Sequence, residues 1–119
     1  MINKVILLGW LGSDPEISIL PSGAQRVVLK LATNEYWVDK QTNQRQTHTE
    51  WHRIVCWNKL AELAGKYLKK GAKIFVEGKI RSREYVNPQN NVPAKIYEII
   101  ASDLRMLDAP PSTQQQTMS

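Results

Sequence analysis

The sequence predicts an all-β domain, a five-stranded Greek-key barrel with one α-helix between its third and fourth strands. Three observations carry this. β-prone runs recur along residues 3–107, each closed by glycine-, proline- or asparagine-containing text. Only one segment switches to helical spacing, and that segment follows the third β-run and precedes the last two.

The first run, "NKVILLGWLG" (Asn3 to Gly12), is compact and apolar and meets the turn-like "SDPE" at once. After "ISIL" and the turn signal "PSG", "QRVVLKLATN" begins a second strand, with Val27, Leu29 and Leu31 on one face and Arg26, Val28 and Lys30 on the other. Residues 35–49 are polar and read either as a long loop or as the outer part of a β-hairpin. Glu50 to Trp57 is the third strand, with Trp51, Arg53, Val55 and Trp57 on one face and His52, Ile54 and Cys56 on the other. A helix follows, with Asn58 as its N-cap, and "KKG" ends it. Its apolar stripe is Leu60, Leu63, Ala64, Tyr67 and Leu68. The fourth strand, Ala72 to Val86, sets Ile74, Val76, Gly78 and Ile80 against Lys79, Arg81, Arg83 and Tyr85. "NPQNN" turns the chain into a closing strand, "PAKIYEIIASDLRML". This element order is that of the OB-fold. SH3-like barrels and small α+β sheets compete with it, and the position of the helix favours the OB reading.

The 119 residues suffice for one domain, assigned to 1–107, with "DAPPSTQQQTMS" (108–119) read as a short disordered tail. Sixteen Lys and Arg against eleven Asp and Glu give a net charge of +5, which suits a polyanionic partner without specifying one. The single cysteine, Cys56, excludes an internal disulfide framework and fits a reducing compartment. Neither a signal-peptide pattern nor a run long enough to span a bilayer is present, so the chain is expected to be soluble and cytoplasmic, with no membrane partner.

Enzyme chemistry finds little support. His48, His52 and Cys56 stand at i, i+4 and i+8, a metal face on a helix. On a strand, however, four residues cover about 13 Å, far beyond a shared coordination sphere, and "RIVCW" is strand text. No metal and no cofactor are expected. The carboxylates are scattered singly, and "GWLGSDPE" has neither a P-loop lysine nor a following helix.

The aromatics say more. Trp37 stands in the most polar part of the chain, Trp51 and Trp57 flank Arg53, and Tyr85 ends the row Lys79, Arg81, Arg83. Each alone is by default a core aromatic or a loop anchor, and each arginine a solvated strand residue. Interleaved, they match the way single strands are held, with bases stacked on rings and cations tracking phosphates.

The segments "NKVILLGWLGSDPE", "LPSG", "LATNEYW", "TEWHRIVCWNKLAELAGKYLKKG" and "IFVEGKIRSREY" closely resemble, in order, the motifs of the bacterial single-stranded DNA-binding protein (SSB) family, from about Asn3 to Leu107. The resemblance implies an OB-fold that wraps single-stranded DNA without sequence preference during replication, recombination or repair, as a homotetramer or a dimer. It maps base stacking onto Trp37, Trp51, Trp57 and Tyr85. DNA-contacting cations map onto Lys4, Lys40, Arg53, Lys59, Lys70, Arg81 and Arg83, and a subunit-interface histidine onto His52. Trp57 stands where the family commonly has Phe, and Trp10 where it usually has a polar or basic residue, as a stacking platform or an apolar oligomer contact. "DAPPSTQQQTMS" lacks the family's acidic tip, so tail-mediated recruitment of repair proteins is not expected. The alternative is an OB-fold accessory of replication restart that binds mainly protein partners. RNA is a further candidate ligand, since nothing visibly reads a 2′-hydroxyl.

Overall fold

The computed structural model describes residues 1–107, and the expected tail lies outside them. Six strands and one helix follow in the order β1 (Val5–Leu11), β2 (Glu16–Ile19), β3 (Gln25–Val38), β4 (Arg45–Trp57), α1 (Lys59–Tyr67), β5 (Lys73–Val86) and β6 (Pro93–Met106). The strands are hydrogen-bonded in the order β1-β5-β6-β4-β3-β2, and β1 also pairs with β3, through Trp10 with Ala32 and Leu11 with Leu31. That last pairing closes the sheet into the five-stranded barrel of an OB-fold. One more strand precedes the helix than the sequence pattern gives. β2 lies along β3 from Val28 to Gln25, beyond the point where β1 leaves it, so β1 and β2 share one flank of β3 as two halves of one barrel strand.

The barrel interior is filled by the strand face that the alternation predicts. Val27, Leu29, Leu31, Ile54, Cys56, Ile74, Val76, Ile99 and Leu104 are buried together, with Leu11. Burial in this apolar setting pushes the Cys56 thiol up to about 12. One residue later on each strand, side chains point to the outside of the barrel.

The helix closes one end of the barrel with a different stripe from the one expected. Ala61, Ala64 and Leu68 are buried and Leu60 partly so, whereas Leu63 and Tyr67 are exposed. The two stripes share Leu60, Ala64 and Leu68. Two alanines on the inward side let the helix backbone come close to the barrel, where Leu63 and Tyr67 would hold it off. Asn58 is the N-cap residue, but its side chain makes no cap hydrogen bond. Its backbone stands at φ 56°, ψ −115°, a positive-φ state outside the left-handed helical well.

Residues 35–49 form the outer part of a hairpin rather than a loop. The β3–β4 ladder runs unbroken from Arg26 opposite Trp57 to Val38 opposite Arg45. From Glu35 to Val38 every β3 residue is exposed, so the hairpin projects as an arm of about 15–20 Å beyond the barrel. β5 and β6 form a second arm, in which residues 79–86 of β5 are all exposed, Ile80 included. A β-bulge in β6 lies at the base of this arm. The register steps from Glu77 opposite Asp103 to Gly78 opposite Ala101, and the extra residue, Ser102, donates its hydroxyl to the Glu77 carbonyl at 3.0 Å. A side chain at Gly78 would collide with the Ile100 carbonyl, which is why the bulge needs glycine.

Candidate nucleic-acid interface

The outer face of β4 carries Trp51, Arg53, Val55 and Trp57. In register beside them on β3 stand Ala32, Lys30, Val28 and Arg26. Trp51 is 58% exposed and Trp57 is half-buried. Trp51 and its neighbours Lys30, His52 and Arg53 line a shallow cleft of about 220 Å³. The indole lies against Gly12, where an added Cβ would strike its six-membered ring, so a glycine at the end of β1 is part of what sets the pose of Trp51.

Arg53 is not a free cation. Its Nε donates to Oε2 of Glu98 at 2.9 Å, and Arg83 Nε donates to Oε1 of the same carboxylate at 3.3 Å. Glu98 is only 6% exposed, the one buried charged residue among those described. Strand geometry brings the three together. β6 runs parallel to β4 at Ile54–Ile99 and antiparallel to β5, where Glu98 stands opposite Arg81 and two residues from the partner of Arg83. Burial alone would raise the Glu98 carboxyl, but the hydrogen bonds and charges of Arg53 and Arg83 outweigh it and hold the group below the ordinary carboxylate range. Two arginines on one carboxylate leave a net +1 at this point of the wall.

Along β5 the basic face continues through Arg81 and Arg83 to Tyr85, which is 39% exposed. Trp51, Arg53, Trp57, Arg81, Arg83 and Tyr85 therefore belong to the outer faces of β4 and β5, with one residue of β6 bridging them. Trp37 stands apart. It pairs with Gln46 on the β3–β4 arm, on the ladder face that continues from Leu31 and His52, opposite to the face of Trp51. It is 50% exposed. On the Trp51 side of the same arm, the Arg45 guanidinium sits 4.5 Å from the Tyr36 ring centroid.

The remaining cations are dispersed. Lys4 Nζ lies 3.4 Å from Glu77. Lys40 is in the turn of the β3–β4 arm, Lys59 is the first helical residue, and Lys70 lies in the connection to β5, its backbone N–H held by Asp14 at 2.8 Å. His52 is half-buried, with Nε2 2.9 Å from the Thr33 hydroxyl. His48 and Cys56 lie elsewhere on the strand, His48 beside Glu50 at 3.2 Å and Cys56 in the core, so the three residues do not converge. On β1, Ile6, Leu8 and Trp10 form an exposed apolar row on the outer face, with Lys73 Nζ 5.5 Å from the Trp10 ring centroid.

Sequence reasoning missed Glu98, Lys30 and Tyr97. Lys30 was legible, since alternation in β3 sets it on the face away from the core. Tyr97 is 61% exposed on the β5–β6 arm, opposite Ser82. Glu98 gave no signal, because "YEII" reads as an ordinary strand and only the β4–β6 pairing brings a carboxylate under Arg53.

Comparison with known proteins agrees with this geometry. A solved structure described as a Plasmodium falciparum SSB complex with ssDNA superposes with a TM-score of 0.79 at 40% sequence identity, covering 91% of this chain and 96% of that one. The model of the single-strand binding protein family matches residues 2–107, and the chain belongs to that family.

Proposed function

We propose that this chain is a non-enzymatic protein that binds single-stranded DNA without sequence preference and protects it during replication, recombination or repair. Bases stack on Trp51, Trp57, Tyr85 and Trp37, while Arg53 on the barrel wall and Arg81 and Arg83 on the β5–β6 arm meet phosphates, and Lys4, Lys40, Lys59 and Lys70 do so along the path around the barrel. The observation that carries this reading is the alternation of rings and guanidinium groups on the outer faces of β4 and β5, bridged across β6 by Glu98. The relative solved with ssDNA adds support. Rings stack on any base, which accounts for indifference to sequence. Preferential binding to unpaired strands melts hairpins by mass action.

Titration with poly(dT), followed by tryptophan fluorescence, tests the reading. Quenching that weakens with salt is expected, with a slope near −0.7 per phosphate contact. No quenching, or quenching indifferent to salt, overturns it. Competition between dT and rU oligomers decides between DNA and RNA.

Self-association into a tetramer is the second part of the proposal. It is supported by the apolar row Ile6, Leu8 and Trp10, all between 46% and 56% exposed, which is costly to leave in water. In this reading Trp10 is an oligomer contact and His52 lies near a subunit boundary. Solution mass with and without a dT oligomer checks it, and a monomeric mass under both conditions refutes it.

A further inference from the structure

The arrangement around Glu98 goes beyond a list of cations. Its carboxylate has two oxygens, and each takes the Nε–H of a different arginine, from β4 at 2.9 Å and from β5 at 3.3 Å. Bonding at Nε is the informative detail. A guanidinium has five N–H donors in a fixed plane, and using the one nearest the chain leaves the four on the terminal nitrogens. Among the described residues the terminal groups of Arg53 and Arg83 make no hydrogen bond to the protein, and the two side chains are 34% and 46% exposed. The side chain of the Glu98 anion they share is only 8% exposed. The inner donors are thus spent on a buried anchor, while the outer donors belong to two partly exposed side chains on different strands, on the same strand faces as Trp51 and Tyr85.

Resting on the reading of the chain as a binder of single-stranded DNA, we propose that Glu98 is a positioning residue that joins Arg53 and Arg83 into one preassembled clamp for a single backbone phosphate. Without it, two flexible side chains would each lose rotamer freedom on meeting the phosphate, and their like charges would push them apart. With it, both guanidinium groups are already oriented and their repulsion is screened by a carboxylate that DNA does not have to displace. The same residue could act in the opposite sense, as an internal anion that competes with phosphate. The two roles predict opposite signs for its removal.

The test is the affinity of a dT oligomer, by tryptophan quenching over a range of salt, for wild type and Glu98→Gln. Glutamine keeps the shape but puts an NH2 donor in place of one acceptor oxygen, so one of the two Nε–H groups loses its acceptor and faces a donor instead. The chain gains a unit of positive charge, yet binding is expected to weaken about tenfold, the scale of one charge-assisted hydrogen bond. Equal or tighter binding, with a steeper salt slope, overturns the clamp and makes Glu98 a competitor. Arg53→Lys and Arg83→Lys keep the charge but lose the Nε donor and the fork. Each should weaken binding by a similar factor, and the double variant by little more than either single one, because the residues act as a unit. Losses that multiply in the double variant also overturn the proposal. If Glu98→Gln fails to fold, as a thermal melt would reveal, the two lysine variants and their double carry the same test. Failure of the clamp is distinguishable from failure of its premise: wild-type chain that shows no quenching with dT refutes DNA binding itself, whereas normal wild-type binding with multiplying losses refutes only the clamp.

Discussion

The two hairpin arms are closed by the same turn yet differ at their roots. In the β3–β4 arm the Asp39 N–H bonds the Gln44 carbonyl, the Asn43 N–H bonds the Asp39 carbonyl, and the Asp39 carboxylate accepts from the Gln41 N–H. The β5–β6 arm repeats all three bonds with Asn87, Val92, Asn91 and Gln89, and both Asn43 and Asn91 sit at φ 59°. The polar contacts at the root of the first arm run between its own strands, as in the Thr49 hydroxyl bond to Asn34 at 2.7 Å. The second arm is tied through Arg83 and buried Glu98 to Arg53 on the wall. Two copies of one local solution thus give an anchored arm and a freer one. Local turn chemistry shapes the tip, and long-range pairing decides how the base is held.

The largest effect should come from cutting the anchor. Arg53→Ala together with Arg83→Ala leaves a buried carboxylate without a partner, and denaturant unfolding should show a loss of about 3–5 kcal/mol. Arg83→Ala alone should cost about 1.5–3 kcal/mol, since Glu98 keeps one charged partner. Acid gives an independent check. The Glu98 carboxyl lies below its ordinary value when folded, so the stability it contributes is complete above the unfolded carboxylate range and is lost as pH falls through the lower folded value. Glu98→Gln should therefore remove part of the acid-side decline seen in the wild type, and an unchanged pH profile would show that the pairing adds no stability.

Binding should separate wall from arm at the next level. Trp51→Ala should weaken dT binding by about 1–3 kcal/mol with little change in thermal stability, because the residue is more than half exposed. Trp37→Ala, on the freer arm and the opposite ladder face, should fall at the low end of that range. The two residues are five ladder positions apart, roughly 17 Å, so the double variant should be additive. Gly12→Ala should cost less than Trp51→Ala, since the indole swings aside and is not lost. Unchanged affinity for Gly12→Ala would mean that the pose of Trp51 does not matter.

Much of this was legible in the chain. Period-two alternation identified the core face of β3, β4 and β5, because one buried side forces apolar residues onto alternate positions. It also put Trp51, Arg53 and Trp57 outward together. The helix stripe was misread because Leu60, Leu63, Ala64 and Tyr67 satisfy helical spacing as well as Leu60, Ala61, Ala64 and Leu68 do. Only the closeness of the barrel end selects the alanines. β2 escaped notice because four residues carry too short an alternation. The separation of Trp37 from Trp51 was hidden while residues 35–49 could still be a loop, since strand parity counts faces only where the ladder is unbroken. Glu98 could not be found from local text at all, since its partners lie 45 and 15 residues away.

The smallest effects return to the turns, where the arms can be compared on equal terms. Alanine tolerates positive φ less well than asparagine, so Asn43→Ala and Asn91→Ala should each cost up to about 1 kcal/mol, while glycine at either site should be close to neutral. The local strain is the same, but its reach should differ. An arm tip that opens beyond its core frays until it meets a contact strong enough to stop it. In the β5–β6 arm that contact is Arg83 with Glu98, three residues before the end of β5. In the β3–β4 arm the hydroxyl–amide bond between Thr49 and Asn34 is a weaker stop. Amide hydrogen exchange should therefore accelerate in Asn43→Ala as far as the barrel rim near Thr33 and Glu50, but in Asn91→Ala only between Arg83 and Ile96. If exchange spreads equally far along both arms, the buried carboxylate is not an anchor. The arms would then differ only in the side chains they carry.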